Sequence, residues 1–121
     1  MEVVFKVRGD ILIACIKGEL DHHNAAPLRK GIDRSMKVFE CRDLILDLTE
    51  VDFMDSSGIG IALGRYKKLS KSGGRICIAG CSTYIEKVLD MAGVFSIIPK
   101  ESDVQSALCL LGGEEQLHME V

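Results

Sequence analysis

A change of hydrophobic period in mid-chain constrains the fold most. Leu44-Ile45-Leu46-Asp47-Leu48 is a short, nearly unbroken apolar run, the pattern of a strand covered on both faces. Further on, Ile59, Ala62, Leu63, Tyr66 and Leu69 recur at helical spacing, with Arg65, Lys67, Lys68 and Lys71 between them. Ser72-Gly73-Gly74 supplies a C-terminal stop. Asp55-Ser56-Ser57 therefore lies where a loop feeds the N-terminus of an amphipathic helix. The rest of the chain reads as scaffold around that point.

The physics of the point is specific. Asp and Ser before a helix accept hydrogen bonds from its unpaired N–H groups, and the helix end favours negative charge. A well-capped helix is the plain explanation. Two serines in tandem exceed the needs of one cap, however, and Gly58, Gly60 and Gly64 crowd the first turns. Each glycine costs about 1 kcal/mol against Ala in a helix interior. Two explanations of these glycines stand: close packing on a sheet, or a side-chain-free surface on which another molecule docks.

Around this centre the chain alternates strands and helices. Val3, Phe5 and Val7 alternate with Val4, Lys6 and Arg8, a half-exposed strand; Gly9-Asp10 turns it into the apolar Ile11–Ile16, a hairpin. The first strand belongs at an edge and the second inside the sheet. Gly18–Asn24 leads into a helix with Pro27 in its first turn and a stripe of Leu28, Ile32, Met36 and Phe39. After the central region, Arg75–Ala79 reads as a buried strand, and Ser82-Thr83 starts a helix with Glu86 placed for a capping box on Thr83. Ile85, Val88, Leu89 and Ala92 form that helix's inner stripe. Val94–Ile98, closed by Pro99, reads as a short strand, and Val104, Ala107, Leu108 and Leu111 mark a last helix. The expected fold is α/β: a small, mostly parallel sheet with right-handed crossovers, an antiparallel edge hairpin and about four helices. Ligands and partners of such sheets meet the loops beyond the C-terminal strand ends. The Gly18–Asn24 and Val51–Gly58 loops both follow strands, which places Asp21 and His22 near Ser56.

Composition removes several function classes. The 121 residues suit one domain with a single core, residues 1–112, followed by an aperiodic polar tail, 113–121, expected to fray. A formal charge of −3 argues against nucleic-acid binding, which needs a basic surface. No apolar run approaches the roughly 20 residues of a membrane span, and the N-terminus lacks the layout of a signal peptide; a cytoplasmic protein is expected. The five cysteines read as small core residues rather than a disulfide framework. Cys77 and Cys81 are separated by Gly80 without a second ligand pair, and Asp21-His22-His23 lacks a convergent third ligand, so no metal is expected. A polar turn capping the helix explains the latter group.

The chemistry open to the central serines is also bounded. Ser56 or Ser57 with His22 as base would be a hydrolase, but the G-x-S-x-G elbow is missing and so small a domain leaves little room for a substrate pocket. Neither phosphate-binding glycine pattern follows a strand, and no cofactor is expected. The remaining use of an exposed serine at a helix N-terminus is as a phosphate acceptor. Phosphoserine adds about −1.5 to −2 charge, which the helix end tolerates and a docked partner does not.

One family shares these residues. Gly18-Glu19-Leu20-Asp21-His22-His23, then Phe53-Met54-Asp55-Ser56-Ser57-Gly58 running on to Leu63-Gly64-Arg65-Tyr66-Lys67, resemble the anti-sigma factor antagonists. These are the STAS-domain proteins of bacterial partner-switching pathways, and the likeness is greatest to their sporulation branch. Gly73-Gly74, Asp90-Met91-Ala92-Gly93 and Ile97-Ile98 add weaker support, and the likeness runs from the first strand to about Leu111. The resemblance implies a binding protein rather than an enzyme. Its unphosphorylated form binds an anti-sigma factor that is also a serine kinase, which frees the sigma factor. Phosphorylation of the first serine, here Ser56, ends binding, and a PP2C-type phosphatase restores it. Carried over by position, Asp21, His22, Asp55, Ser56, Ser57, Gly58, Gly60, Gly64 and Arg65 are the candidate docking residues, on a protein expected to be monomeric when free. The tail after Gly112 is longer than the family's pattern. Two rivals remain: a STAS module of another cascade, such as the general stress response, and a nucleotide sensor holding phosphate at the glycine-bearing helix end.

Overall fold

The computed structural model describes residues 1–112, so the reading of 113–121 as a frayed tail lies outside the described residues. The hairpin forms as expected: β1 (Glu2–Arg8) and β2 (Ile11–Leu20) pair antiparallel, with Arg8 opposite Ile11. The two-residue turn is made possible by Gly9 at a φ of 58°. Helix α1 (His22–Val38) carries the chain to β3 (Asp43–Met54), α2 (Ser56–Lys71) to β4 (Ile76–Ala79), and α3 (Thr83–Met91) to a two-residue β5 (Lys100–Glu101). Helix α4 (Val104–Leu110) follows. The five strands stand in chain order, with β1 antiparallel at one edge and every other pairing parallel.

Two cores explain why β2 and β3 are apolar at both odd and even positions. On one face Leu12, Ala14, Ile16, Leu44, Leu46 and Ile78 pack against Leu28 and Ile32 of α1, Ile61 and Ala62 of α2, and Ile85 and Leu89 of α3. On the other, Ile11, Ile13, Ile45, Cys77 and Ala79 meet Ala107, Leu108 and Leu111 from α4 and the residue after it. Full burial of each Leu or Ile side chain contributes about 1.5–3 kcal/mol.

Several local expectations are corrected. Strand β2 runs past Ile16 to Leu20 and β3 past Leu48 to Met54, because the two pair with each other out to Leu20 and Met54, through irregularities after Cys15 and Gly18. Val51–Met54 is therefore strand, not loop. Pro27 falls in the second turn of α1, since the helix already starts at His22; the His23 carbonyl loses its usual donor there. Phe39 lies beyond the last turn and is 54% exposed. Ser82 caps α3 and accepts from the Ile85 N–H, so Glu86 stands one residue too far for a capping box and pairs with Lys100 instead. Ala92 is the exposed C-cap of that helix rather than part of its inner stripe. Val94–Ser96 curls into a 3₁₀ turn after Gly93, closed by Ile97 and Ile98 N–H groups donating to the Val94 carbonyl. The last strand forms later, at Lys100–Glu101. All five cysteines are free, but only Cys77 is fully buried.

Candidate functional site

Strands β2 and β3 end level with each other, Leu20 opposite Met54, and each delivers an aspartate that caps the next helix. Asp21 holds an extended backbone and its Oδ1 accepts from the N–H groups of His23 (3.0 Å) and Asn24 (3.2 Å). Asp55 does the same for α2, its Oδ1 accepting from the Ser57 N–H at 2.8 Å. Its second oxygen reaches across: Oδ2 accepts from the His22 N–H, the first residue of α1, at 3.1 Å. The Asp55 N–H in turn donates to the Leu20 carbonyl at 3.3 Å. One carboxylate thus ties two helix N-termini side by side.

That arrangement sets the electrostatics. Desolvation pulls the pKa of the Asp55 carboxyl upward, but the N–H groups of Ser57 and His22, the Ser57 hydroxyl and the Gly58 N–H outweigh it and hold the group below the ordinary carboxylate value. Asp55 is an anion at neutral pH, set between two helix ends that each favour negative charge.

Ser56 is the first residue of α2 and is exposed. The N–H groups of Ser57, Gly58 and Ile59 donate to Asp55, and the Ser56 hydroxyl makes no hydrogen bond among the described residues. Ser57 is half-buried, turned toward the Asp55 cap. His22 and His23 are exposed, their rings tilted 59° with centroids 5.4 Å apart. The expected juxtaposition of Asp21, His22 and Asp55-Ser56 is present. No hydrogen bond links a serine to a histidine among the described residues, and none of their His, Cys, Asp and Glu side chains form a group of three able to hold a metal ion.

The three glycines divide between the two explanations. Gly58 is buried, and a Cβ there would stand 2.5 Å from Met54 Cγ and 3.0 Å from Leu20 Cγ; it is a packing glycine. Cβ atoms on Gly60 and Gly64 would meet nothing within 4 Å. These two leave a bare stretch on the outer side of α2. Arg65 is a correction: instead of standing among the water-facing residues of α2 it is 8% exposed, its Nε 3.3 Å from Asp33 Oδ1 on α1. It joins the seam between the helices, away from the surface around Ser56.

Two contributors escaped the sequence reading. Asn24 locks the entrance to α1 by donating from Nδ2 to the Glu19 carbonyl at 2.9 Å. Phe53, opposite Glu19 in the ladder, is 41% exposed beside the site. Nothing in the sequence marks either of them: Phe53 has an apolar residue at strand spacing in Val51.

Among the described residues no helix is long and apolar enough to cross a membrane. A family model described as the STAS domain matches residues 2–107. The anti-sigma F factor antagonist of Paenibacillus polymyxa is 37% identical over 98 residues, which span 81% of this chain and 84% of that protein. The anti-sigma F factor antagonist of Lysinibacillus sphaericus is 32% identical over 88 residues, 73% of this chain and 75% of that one. Among solved structures, the anti-sigma factor antagonist SpoIIAA in its unphosphorylated form superposes with a TM-score of 0.70 at 26% identity, covering 93% of this chain and 97% of that one.

Proposed function

Since this chain belongs to the STAS-domain family, we propose that it is an anti-sigma factor antagonist switched by phosphorylation of Ser56. In its unphosphorylated form it binds an anti-sigma factor that is also a serine kinase, in the cytoplasm and as a free monomer, and so releases a sigma factor. The observation that carries this reading is the Ser56 hydroxyl: exposed, without a hydrogen-bond partner among the described residues, at the first position of a helix whose cap is supplied by a different residue.

The switch follows from charge. Transfer of the γ-phosphoryl group of ATP to Ser56 Oγ releases ADP and the hydroxyl proton, and adds about −1.5 to −2 charge. The helix end favours that charge, so the domain keeps its fold. A partner seated over Ser56, with the open backbone at Gly60 and Gly64 and the rim residues Asp21, His22, Asp55 and Ser57 around it, has to bury a dianion beside Asp55. Burial of an uncompensated charge costs several kcal/mol, and every 1.4 kcal/mol is about tenfold in affinity. A PP2C-type phosphatase reverses the step by hydrolysis, returning the hydroxyl and inorganic phosphate.

The test is intact-mass measurement after incubation with ATP and a kinase-like anti-sigma factor from the same organism, for wild type and Ser56→Ala. One phosphate on the wild type and none on a variant that still binds the kinase is the expected result. Phosphate retained by the variant moves the acceptor away from Ser56, and no phosphate with no binding on either removes the reading altogether.

A further inference from the structure

The C-terminal halves of α1 and α2 enclose a groove of about 410 Å³, lined by Ile32, Asp33, Met36 and Lys37 from one helix and Arg65, Lys68 and Leu69 from the other. Cys41, Arg42 and Leu44 close its end. Ser56 starts the same helix thirteen residues before Leu69, about 20 Å away at 1.5 Å per residue. The groove is therefore separate from the helix entrances.

Its centre is a cation with unmet demand. The Arg65 side chain is nine-tenths buried. Its Nε lies within ion-pair distance of Asp33 Oδ1, at 3.3 Å, yet among the described residues Nε and Nη1 are both buried without a hydrogen-bond partner. A guanidinium carries five donors in a fixed fork, and a buried donor left unpaired is costly. The single carboxylate present is also shared, since Lys68 Nζ lies 3.3 Å from Asp33 Oδ2.

Charge around the groove does not balance. Arg65, Lys68, Lys37 and Arg42 face one acid, Asp33, although Arg42 also lies 3.5 Å from Asp43. The C-terminal ends of the two helices supply about half a negative charge each, which leaves the groove positive. Its floor is apolar, with Ile32 and Leu44 fully buried and Met36, Cys41 and Leu69 half-buried along the walls. A positive rim over an apolar floor fits one chemical class.

We propose that the α1–α2 groove is a binding site for a small organic anion, its phosphate or carboxylate head held by Arg65 and Lys68 and its apolar body lying on Met36 and Leu69. An anionic head supplies the countercharge that Asp33, shared between Arg65 and Lys68, leaves short, and a guanidinium is suited to hold it.

The experiment is a titration of the ¹⁵N-labelled full chain, followed by amide chemical shifts, with phenyl phosphate as probe and inorganic phosphate and phenol as its two halves. Saturable shifts confined to residues around Ile32–Cys41 and Arg65–Ser72 are expected with phenyl phosphate, with clearly weaker binding of either half. Lys68→Glu, at a largely exposed position, keeps the fold and weakens phenyl phosphate about tenfold by reversing a charge at the mouth. Arg65→Lys keeps the charge, loses the fork and also binds more weakly. No saturable shift, shifts gathered at Asp21 and Ser56 instead, equal binding of phenol, or indifference to Lys68→Glu each overturn the proposal.

Discussion

Gly58 and Gly60 sit two residues apart in one helix, and replacing each by alanine should move stability in opposite directions. Alanine gains about 1 kcal/mol over glycine in a helix interior, part of it through the unfolded chain. At Gly60 a new Cβ meets no atom within 4 Å, so that gain is kept whole. For a domain of this size it corresponds to a rise of about 3–6 °C in Tm. At Gly58 the Cβ would lie 2.5 Å from Met54 Cγ, 3.1 Å from its Sδ and 3.0 Å from Leu20 Cγ. Cγ is near the root of the Met54 side chain, which is 4% exposed, so relief requires moving the whole side chain or the helix. Overpacking of this kind costs about 1–3 kcal/mol. Because the propensity gain is common to both variants, the difference between them isolates the packing cost. Urea unfolding of the two variants, with a check that the m-value is unchanged, measures it. Equal stability of Gly58→Ala and Gly60→Ala would refute the claim that α2 rests on Leu20 and Met54 through a missing side chain.

Three further outcomes are expected. Asp55→Ala removes the acceptor shared by α1 and α2, and should lower the urea midpoint more than Asp103→Ala, whose carboxylate caps α4 alone. The depressed pKa values of Asp55 and Asp103 contribute stability that is complete above their unfolded value of 3.8 and is lost as pH falls through the lower folded values; acid titrations of stability should be shallower in Asp55→Asn than in wild type. Burial pushes the Cys77 thiol up to about 12 and the Cys81 thiol, with help from Glu86, up to about 11. At pH 8 both should therefore react with a disulfide reagent far more slowly than in urea, as peptide-level mass spectrometry would read, and rapid labelling of Cys77 in the folded protein would contradict its placement on β4 beneath α4.

The parts of this fold that the sequence made legible are those where local pattern and tertiary role agree. The hairpin turn, the two-sided apolar strands and the helix stripes are of this kind, as is the meeting of the Asp21 and Asp55 entrances, which follows from parallel strands ending together. The failures have tertiary causes. Gly18 and Glu19 interrupt the apolar pattern of β2, yet they stay in the strand because β3 continues alongside them. Val94–Ile98 has the composition of a strand, but Gly93 at a φ of 77° turns it into a single tight coil, and the polar pair Lys100-Glu101 takes the edge position instead. Arg65 looks like one more surface cation until Asp33, thirty-two residues earlier on another helix, is placed beside it. The glycines of α2 are identical in sequence and opposite in environment.

The sheet is lopsided along its own strands. Strand β3 is hydrogen-bonded to β2 almost throughout, but β4 accompanies it only from Leu44 to Asp47. Among the described residues, its last stretch from Leu48 to Met54 has a strand neighbour on one side only. Amide protons near Ile45 and Leu46 are locked from both sides and exchange with solvent through opening of the whole domain, whereas those toward Met54 belong to a smaller unit that opens at lower free energy. Ser56 is mounted on that softer end. A protein seated there adds contacts where the ladder is thinnest, so its arrival registers as slowed exchange in a part of the molecule that the core itself leaves loosely held.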